Sequence, residues 1–300
     1  MAKHDKAITF LARTEDERML LSHMEDLIVR AESGSTVHSD FLNLGEQYLI
    51  RTFLTQCGKT EGADWMFYGG YPFAERCMLF LFPEYIAETA AITGKSMEVP
   101  MTSQQNCRDL CPAATSVLLS FCQEENSIGA VCVSGSGYRH LTHRDYLGSL
   151  LSLGMERSVI GDIAVTDDCH AVIFLKTRFC AYLQSALERI GNDKVKISTI
   201  TKEEAEKTPD SRRYEILSDT VASLRLDAVI ASACHLSREK AKQLVSSGAV
   251  EVDFRQTDAQ DTALAAGTVL SIHGYGRYVL EAIDGTSKKG RLRIRMKKFI

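Results

Sequence analysis

The sequence predicts an α+β chain in three regions: an N-terminal helical unit, a central ferredoxin-like or RRM-like α+β domain, and a basic C-terminal module. Three observations predict it. Two amphipathic runs fill the first 60 residues. Strand, helix, strand, strand, helix, strand follow in order between residues 128 and 199. The last 80 residues combine short helices with strands that alternate basic and apolar side chains. At 300 residues the chain reaches the size, about 250 to 300 residues, at which single cores stop growing. A content of 45% hydrophobic and 25% charged residues supplies ordinary cores and excludes wholesale disorder.

The elements read as follows. Thr14 caps a helix with acidic residues in its first turn and Leu20, Met24, Leu27, Ile28 and Ala31 at helical spacing. After a GST turn, FLNLGEQYLIRTFLTQCG reads as a second helix stopped by Gly58. The aromatic run WMFYGGY and the strand CMLFLF follow; aromatic residues beside strands are more often core than base-stacking platforms. Residues 87–127 are polar and weakly periodic. Ile128 to Ser134 reads as a strand, and Thr142 caps a helix bearing Tyr146, Leu150 and Leu153 that stops at Gly154. GDIAV and HAVIFLK are strands, RFCAYLQSALERI a helix ending at Gly191, and KVKIST a strand. This order also matches the RNA-recognition fold, without the glycine and aromatic signature of its RNA-facing strands.

TKEEAEKTPDSRRYE, charged and poor in apolar residues, is expected to be a linker. The expected division is therefore residues 1–72, 73–205, a linker over 206–219, and 220–300. In the last region, Leu226 to Ala233 and the serine-capped Arg238 to Ser246 read as helices. AVEVDF, TVLSIHG and RYVLEAI read as strands, and a DGTSKKG hairpin leads into RLRIRMKKFI.

Charge is uneven along the chain. The net charge is −4, but residues 221–300 carry +5 and the rest −9, which points to a polyanion-binding C-terminal end. On the second of its helices Arg238 and Lys242 are four apart and share a face, with Lys240 close by. In the last strand Arg291, Arg293, Arg295 and Lys297 alternate with Leu292, Ile294 and Met296. Same-face positions roughly 6 to 7 Å apart can follow a phosphate backbone. Arg277, Lys288 and Lys289 extend this basic set. In the central domain His140, His143 and Arg144 stand at a helix start, as capping or phosphate-contact residues and a possible second RNA surface.

The run LRLDAVI…SREKAKQLVSSGAVEVD…GTVLSIHGYGR resembles the S-four RNA-binding domain. FLNLGEQYL, FYGGY, THRDYLGSLLSLGMERSVIGDIAV and KKGRLRI extend the likeness, so that most of the chain resembles the YlmH family of bacterial S-four proteins. The resemblance implies a cytoplasmic protein that binds rRNA and tRNA on the large ribosomal subunit. It implies a role in rescue of stalled subunits and C-terminal tailing of nascent chains, beside protein partners of that pathway. The S-four RNA-facing positions fall on Arg225, Ser237, Arg238 and Lys242. Residues 87–127 look expanded relative to compact family members.

The alternative is an S-four-domain RNA-modifying enzyme of pseudouridine synthase or methyltransferase type. Arg225-Leu226-Asp227 offers an RLD triplet, but inside the S-four helix, where Asp227 is expected to serve the helix start or local pairing. Gly135-x-Gly137 lacks the second half of a doubly wound fold. An enzyme should show a concave pocket with convergent polar groups in residues 73–200, a binding factor only a basic surface.

No catalytic residue, cofactor or metal is expected. The nine cysteines lie mostly in apolar runs without a CxxC pair, and Cys107, Cys111, His140 and His143 match no standard zinc spacing. No apolar run approaches the roughly 18 residues of a membrane span, and the start of the chain does not read as a signal peptide. The expectation is a cytoplasmic monomer.

Overall fold

A computed structural model describes residues 4–86 and 112–300. They divide into two compact units, residues 4–86 with 112–211, and residues 212–300. Cys107 and Cys111 lie outside the described residues, as does most of the polar stretch 87–127.

The first unit begins with helices α1 (Asp5–Leu11), α2 (Glu15–Glu32) and α3 (Leu44–Gln56) and strands β1 (Val37–Leu42), β2 (Trp65–Tyr68) and β3 (Cys77–Leu81). Thr14 accepts from the Glu17 N–H to start α2, whose Met24, Leu27, Ile28 and Ala31 are buried as their spacing demands. Asn43 and Glu46 close a capping box on α3, so Phe41 and Leu42, expected in that helix, belong to β1 instead. The strands pair antiparallel in the order β1-β3-β2. The N-terminal region expected to be helical is therefore itself mixed α/β, and a boundary at residue 72 would cut its sheet before the central strand. β1 is hard to read from sequence because Ser39 takes an inward position; its Oγ accepts from the Leu79 N–H at 2.9 Å, which a buried hydroxyl requires.

The chain continues through α4 (Pro112–Glu124), β4 (Ile128–Ser134), α5 (His143–Ser152), β5 (Ile160–Val165), β6 (His170–Lys176), α6 (Cys180–Ala186), β7 (Arg189–Ile190), β8 (Asp193–Lys194), β9 (Lys196–Thr199) and α7 (Lys202–Glu206). The four longer strands form an antiparallel sheet in the order β5-β6-β4-β9. Counted within the domain, that is second, third, first, fourth, the ferredoxin-like arrangement. One difference falls at Glu188 to Ile190. The helix stops at Ala186, and Gly191, at φ +57°, turns a short β7–β8 hairpin rather than ending a helix.

The two faces of this sheet have different neighbours. Val131, Val133, Ile163, Ile173 and Leu175 share a core with Tyr146, Leu150 and Leu183 of α5 and α6. On the other face Ile128, Ala130, Ala164 and Phe174 join the core of the N-terminal helices and strands. Tyr71 stacks on Phe174 with ring centres 4.5 Å apart and 8° between planes. The 65–71 aromatic run is buried core, and the sheet face on which an RRM stacks bases is covered.

The GG turn of FYGGY makes this contact. Gly70 has φ +95°, and a Cβ there would lie 2.6 Å from the Phe174 ring. Gly70→Ala is expected to cost about 2 to 4 kcal/mol, from left-handed strain plus overpacking. A thermal melt should show a fall of at least about 4 °C. Beside this turn the Asp162 carboxylate accepts from the Tyr71 hydroxyl (2.9 Å) and from the N–H groups of Glu75 (2.7 Å) and Arg76 (2.9 Å). The Arg76 guanidinium donates to the carbonyls of Phe41, Ile160 and Arg157. Burial raises the Asp162 pKa in spite of its three donors, and burial lowers that of Arg76.

The second unit holds β10 (Tyr214–Val221), α8 (Leu226–Ala233), α9 (Arg238–Ser246), β11 (Val250–Val252), β12 (Arg255–Gln256), β13 (Val269–Ile272), β14 (Gly276–Thr286) and β15 (Leu292–Phe299). All strands are antiparallel, in the order β10-β15-β14-β13-β11-β12. The helices pack Leu226, Val229, Ile230, Ala241 and Val245 on the sheet face that carries Tyr278, Leu280, Ile294 and Met296. The expected linker 206–219 is corrected here: Tyr214 to Val221 pairs along its whole length with β15. Composition does not reveal this strand, because its ladder partner is about 80 residues away and most of its side chains are exposed.

A candidate RNA interface

Asp227 organises the start of α9. It has no exposed surface, and its carboxylate accepts from Arg238 Nη2 at 2.8 and 3.0 Å and from Arg225 Nε at 3.3 Å. Burial acts to raise its pKa, but the hydrogen bonds and charges of Arg238 and Arg225 outweigh that and hold it below the usual carboxylate value. Both arginines keep about half of their side-chain surface in solvent, 45% for Arg225 and 50% for Arg238. The carboxylate thus fixes two guanidinium groups side by side, each with donors left over for a phosphate. The RLD aspartate is in this way the anchor of an ion-pair group.

Ser237 is placed differently from Arg225 and Arg238. Its Oγ accepts from the Lys240 N–H at 3.3 Å, capping α9. Lys240 is exposed, and Lys242 reaches Glu239 at 3.3 Å, a solvent-facing pair of small worth.

The strand row forms a second, partly neutralised set. Arg295 meets Glu281 at 3.1 Å and Asp284 at 3.5 Å, and Lys297 meets Glu281 at 2.6 Å. Arg291 donates to the Thr220 carbonyl at 2.6 Å, and Lys297 also lies over the Tyr214 ring. Arg277 stacks on Phe299 at 4.4 Å. Arg293 is exposed, as are Lys288 and Lys289 beside the hairpin turn at Gly290. A uniformly cationic row is therefore corrected: β14 places two carboxylates across from it. The helices cover the face of Ile294 and Met296, so alternation puts the row on the opposite face. The α9 group and the strand row are two surfaces.

In the first unit His140 pairs with Asp168 at 2.8 Å, whereas His143 has Arg157, Asp162 and Glu75 as charged neighbours. Desolvation and then Arg157 lower the His143 pKa, keeping its ring neutral at pH 7. The two histidines face different groups, and Arg144 is exposed. Thr142 caps α5 through a capping box with Asp145. The Tyr146 hydroxyl below is buried with no partner among the described residues, and burial pushes its pKa to about 12. Tyr146→Phe is expected to leave stability unchanged or raise it by up to about 1 kcal/mol in urea unfolding, because an unmet polar group is removed.

Two hollows fall in the stretch where a catalytic pocket would have to lie. One, about 280 Å³, is lined by residues including Cys122, Thr177, Cys180 and Lys202. Burial pushes the Cys180 thiol up, so it stays protonated, and Lys202 is tied to the Gln123 carbonyl. No nucleophile and base meet there among the described residues. The other, about 740 Å³ and open, is lined by Ser136, Arg189, Lys194 and Lys196 among others. Gly135-x-Gly137 lies at its rim, in a loop of an antiparallel sheet rather than a doubly wound one. Asp167, Cys169 and His170 bring their ligand atoms within 4.8 Å of one another at the β5–β6 turn. Asp167 there accepts from the N–H groups of Cys169 and His170, bonds that help hold its pKa near 2.

Comparison with known proteins finds three similarities. Residues 132–204 match the family model described as "Putative RNA-binding domain in YlmH". "Ribosome-associated protein quality control protein P2" of Bacillus subtilis (strain 168) is 28% identical over 257 residues, 85% of this chain and 84% of that protein. The solved structure of cell division protein ylmH from Streptococcus pneumoniae aligns with 65% of this chain and 98% of its own at 17% identity and a TM-score of 0.43. In none of the described residues is a helix long and apolar enough to cross a membrane. Over residues 132–204 the chain is thus similar to the RNA-binding domain of YlmH, and along most of its length to the Bacillus subtilis quality-control protein.

Proposed function

We propose that this protein is a nonenzymatic RNA-binding factor that holds rRNA and tRNA on the large ribosomal subunit. Its task is rescue of stalled subunits, with support of C-terminal tailing of the nascent chain beside protein partners of that pathway. The observation that carries the reading is the pair of half-exposed arginines fixed by buried Asp227 at the start of α9, with Lys240 and Lys242 on the same helix. A buried carboxylate that neutralises only some of a guanidinium pair's charge positions donors for backbone phosphates without consuming them. The quality-control role in the name of the Bacillus subtilis relative supports the ribosomal side of the reading.

The test is cosedimentation of the purified chain, as a monomer, with separated small subunits, large subunits and whole ribosomes at two salt concentrations. Salt-sensitive binding to free large subunits is the expected result. Binding to protein-free RNA with none to either subunit would contradict it and favour an RNA-modifying role.

A further inference from the structure

The open cleft beside β4 belongs to the first unit and the α9 surface to the second, and the construction of the cleft is specific. The loop after β4 is tied at both ends to the β5–β6 turn, Gly135 N–H to the Cys169 carbonyl (2.7 Å) and Leu141 N–H to that of Asp168 (2.9 Å). Asp193, buried at 8% exposure, accepts from the Ser136 N–H at 3.1 Å and from the Ser136 hydroxyl. Gly135 is needed for this approach, since a Cβ would lie 2.9 Å from the Asp193 carboxylate; Gly137 has φ +82°. This rigid turn presents Tyr138, whose N–H reaches Ser136 Oγ at 3.4 Å and which is 98% exposed. A large aromatic held almost wholly in water on a braced loop contributes nothing to the core.

Tyr138 thus stands at the rim, two residues beyond the lining residue Ser136, and Arg189, Lys194 and Lys196 give the cleft a cationic wall. Arg189 and Lys194 stand directly across from each other in the β7–β8 ladder, and Lys196 begins β9. Like charges in that position destabilise a hairpin. All three are exposed, and none has an ion-pair partner among the described residues; Glu188 is the one carboxylate lining the cleft with them. Arg139 closes the gap, its Nη1 3.5 Å from where a Cβ on Gly191 would lie.

Resting on the RNA-binding reading above, we propose that this cleft takes an unpaired nucleotide segment of RNA, one base stacked on Tyr138 and the flanking phosphates held by Arg189, Lys194 and Lys196. Stacking tolerates any base and cations track the backbone, so the site recognises single strands without sequence preference. The N-terminal core covers one sheet face, and Tyr138 is the most exposed aromatic among the described residues.

The experiment is fluorescence anisotropy of the full chain with 5′-fluorescein decauridylate across a salt series. Tyr138→Ala should weaken binding about 5- to 150-fold, the range one stacked base supplies, and Tyr138→Phe should bind as wild type. Arg189→Ala/Lys194→Ala/Lys196→Ala should reduce the log–log salt slope by about 2. Wild type that fails to bind decauridylate, or Tyr138→Ala and the triple variant that bind it normally, would overturn the site. Decauridylate binding that depends on Tyr138 in a protein that does not bind ribosomes would leave this site standing and sink the ribosomal reading. Ribosome binding lost in the Lys240/Lys242 variant, with the Tyr138 variant unaffected on decauridylate, would do the reverse.

Discussion

Arg238→Ala should destabilise the C-terminal unit by about 2 to 4 kcal/mol. Removing one partner of a buried ion pair costs roughly 3 to 5 kcal/mol because the other charge is stranded, and Arg225, still 3.3 Å away, offsets some of this. For a unit of residues 212–300, each kcal/mol corresponds to about 4 to 8 °C, so the melting shift should exceed roughly 8 °C. Arg238→Lys should restore some of the loss, as charge without the planar guanidinium. Asp227→Ala/Arg238→Ala should be more stable than Arg238→Ala alone, the positive coupling expected when the stranded charge is removed. Equal melting of the single and double variants would show that the pair does not brace the unit.

The same pair sets an acid dependence. The Asp227 pKa is lowered on folding, so its contribution is present above the unfolded carboxylate value, about 3.9, and is lost as pH falls through the folded one. The wild-type unit should therefore lose stability below about pH 4, and Asp227→Ala should flatten that limb in pH-dependent melts.

The second large effect concerns RNA. Because Arg238 holds the fold, Lys240 and Lys242 are the better probes: Lys240 is exposed and Lys242 has only a surface partner. Lys240→Ala/Lys242→Ala should melt as wild type yet lower the log–log salt slope of large-subunit binding by about 1.4 to 1.8, roughly 0.7 to 0.9 per phosphate lost. Over a fourfold rise in salt each such contact changes affinity about threefold, so the variant's disadvantage should be greatest at low salt and shrink as salt rises. Arg295→Ala and Lys297→Ala should have smaller effects than Arg293→Ala, since Glu281 and Asp284 already neutralise the first two. An unchanged slope in the folded Lys240/Lys242 variant would remove α9 from the interface.

What the sequence makes legible is local. Thr14, Thr142 and Ser237 announce helix starts because a cap bonds within three residues. The strand and helix order of the central domain follows from periodicity, and the observed sheet order agrees with it. What stays hidden depends on distant partners: Ser39 inside β1, β10 against β15, and Glu281 and Asp284 across from the basic row. Gly191 misleads because a glycine can end a helix or turn a hairpin, and only the pairing of Arg189 with Lys194 decides between them. Arg225 and Arg238 are expected from the sequence through its resemblance to a known domain, and the structure brings the two together. Asp227 is expected to serve the helix start or local pairing, and it pairs with both arginines; its complete burial stays hidden, because a buried acid in a helix's first turn looks the same as an exposed one.

The most direct test of the α9 surface is ultraviolet crosslinking of the chain to purified large subunits, with mapping of the crosslinked peptides and RNA. RNA crosslinks on peptides that contain residues 225–246, reduced in Lys240→Ala/Lys242→Ala, are the predicted result. Crosslinks confined to ribosomal proteins, or RNA crosslinks that spare residues 225–246, would contradict the account.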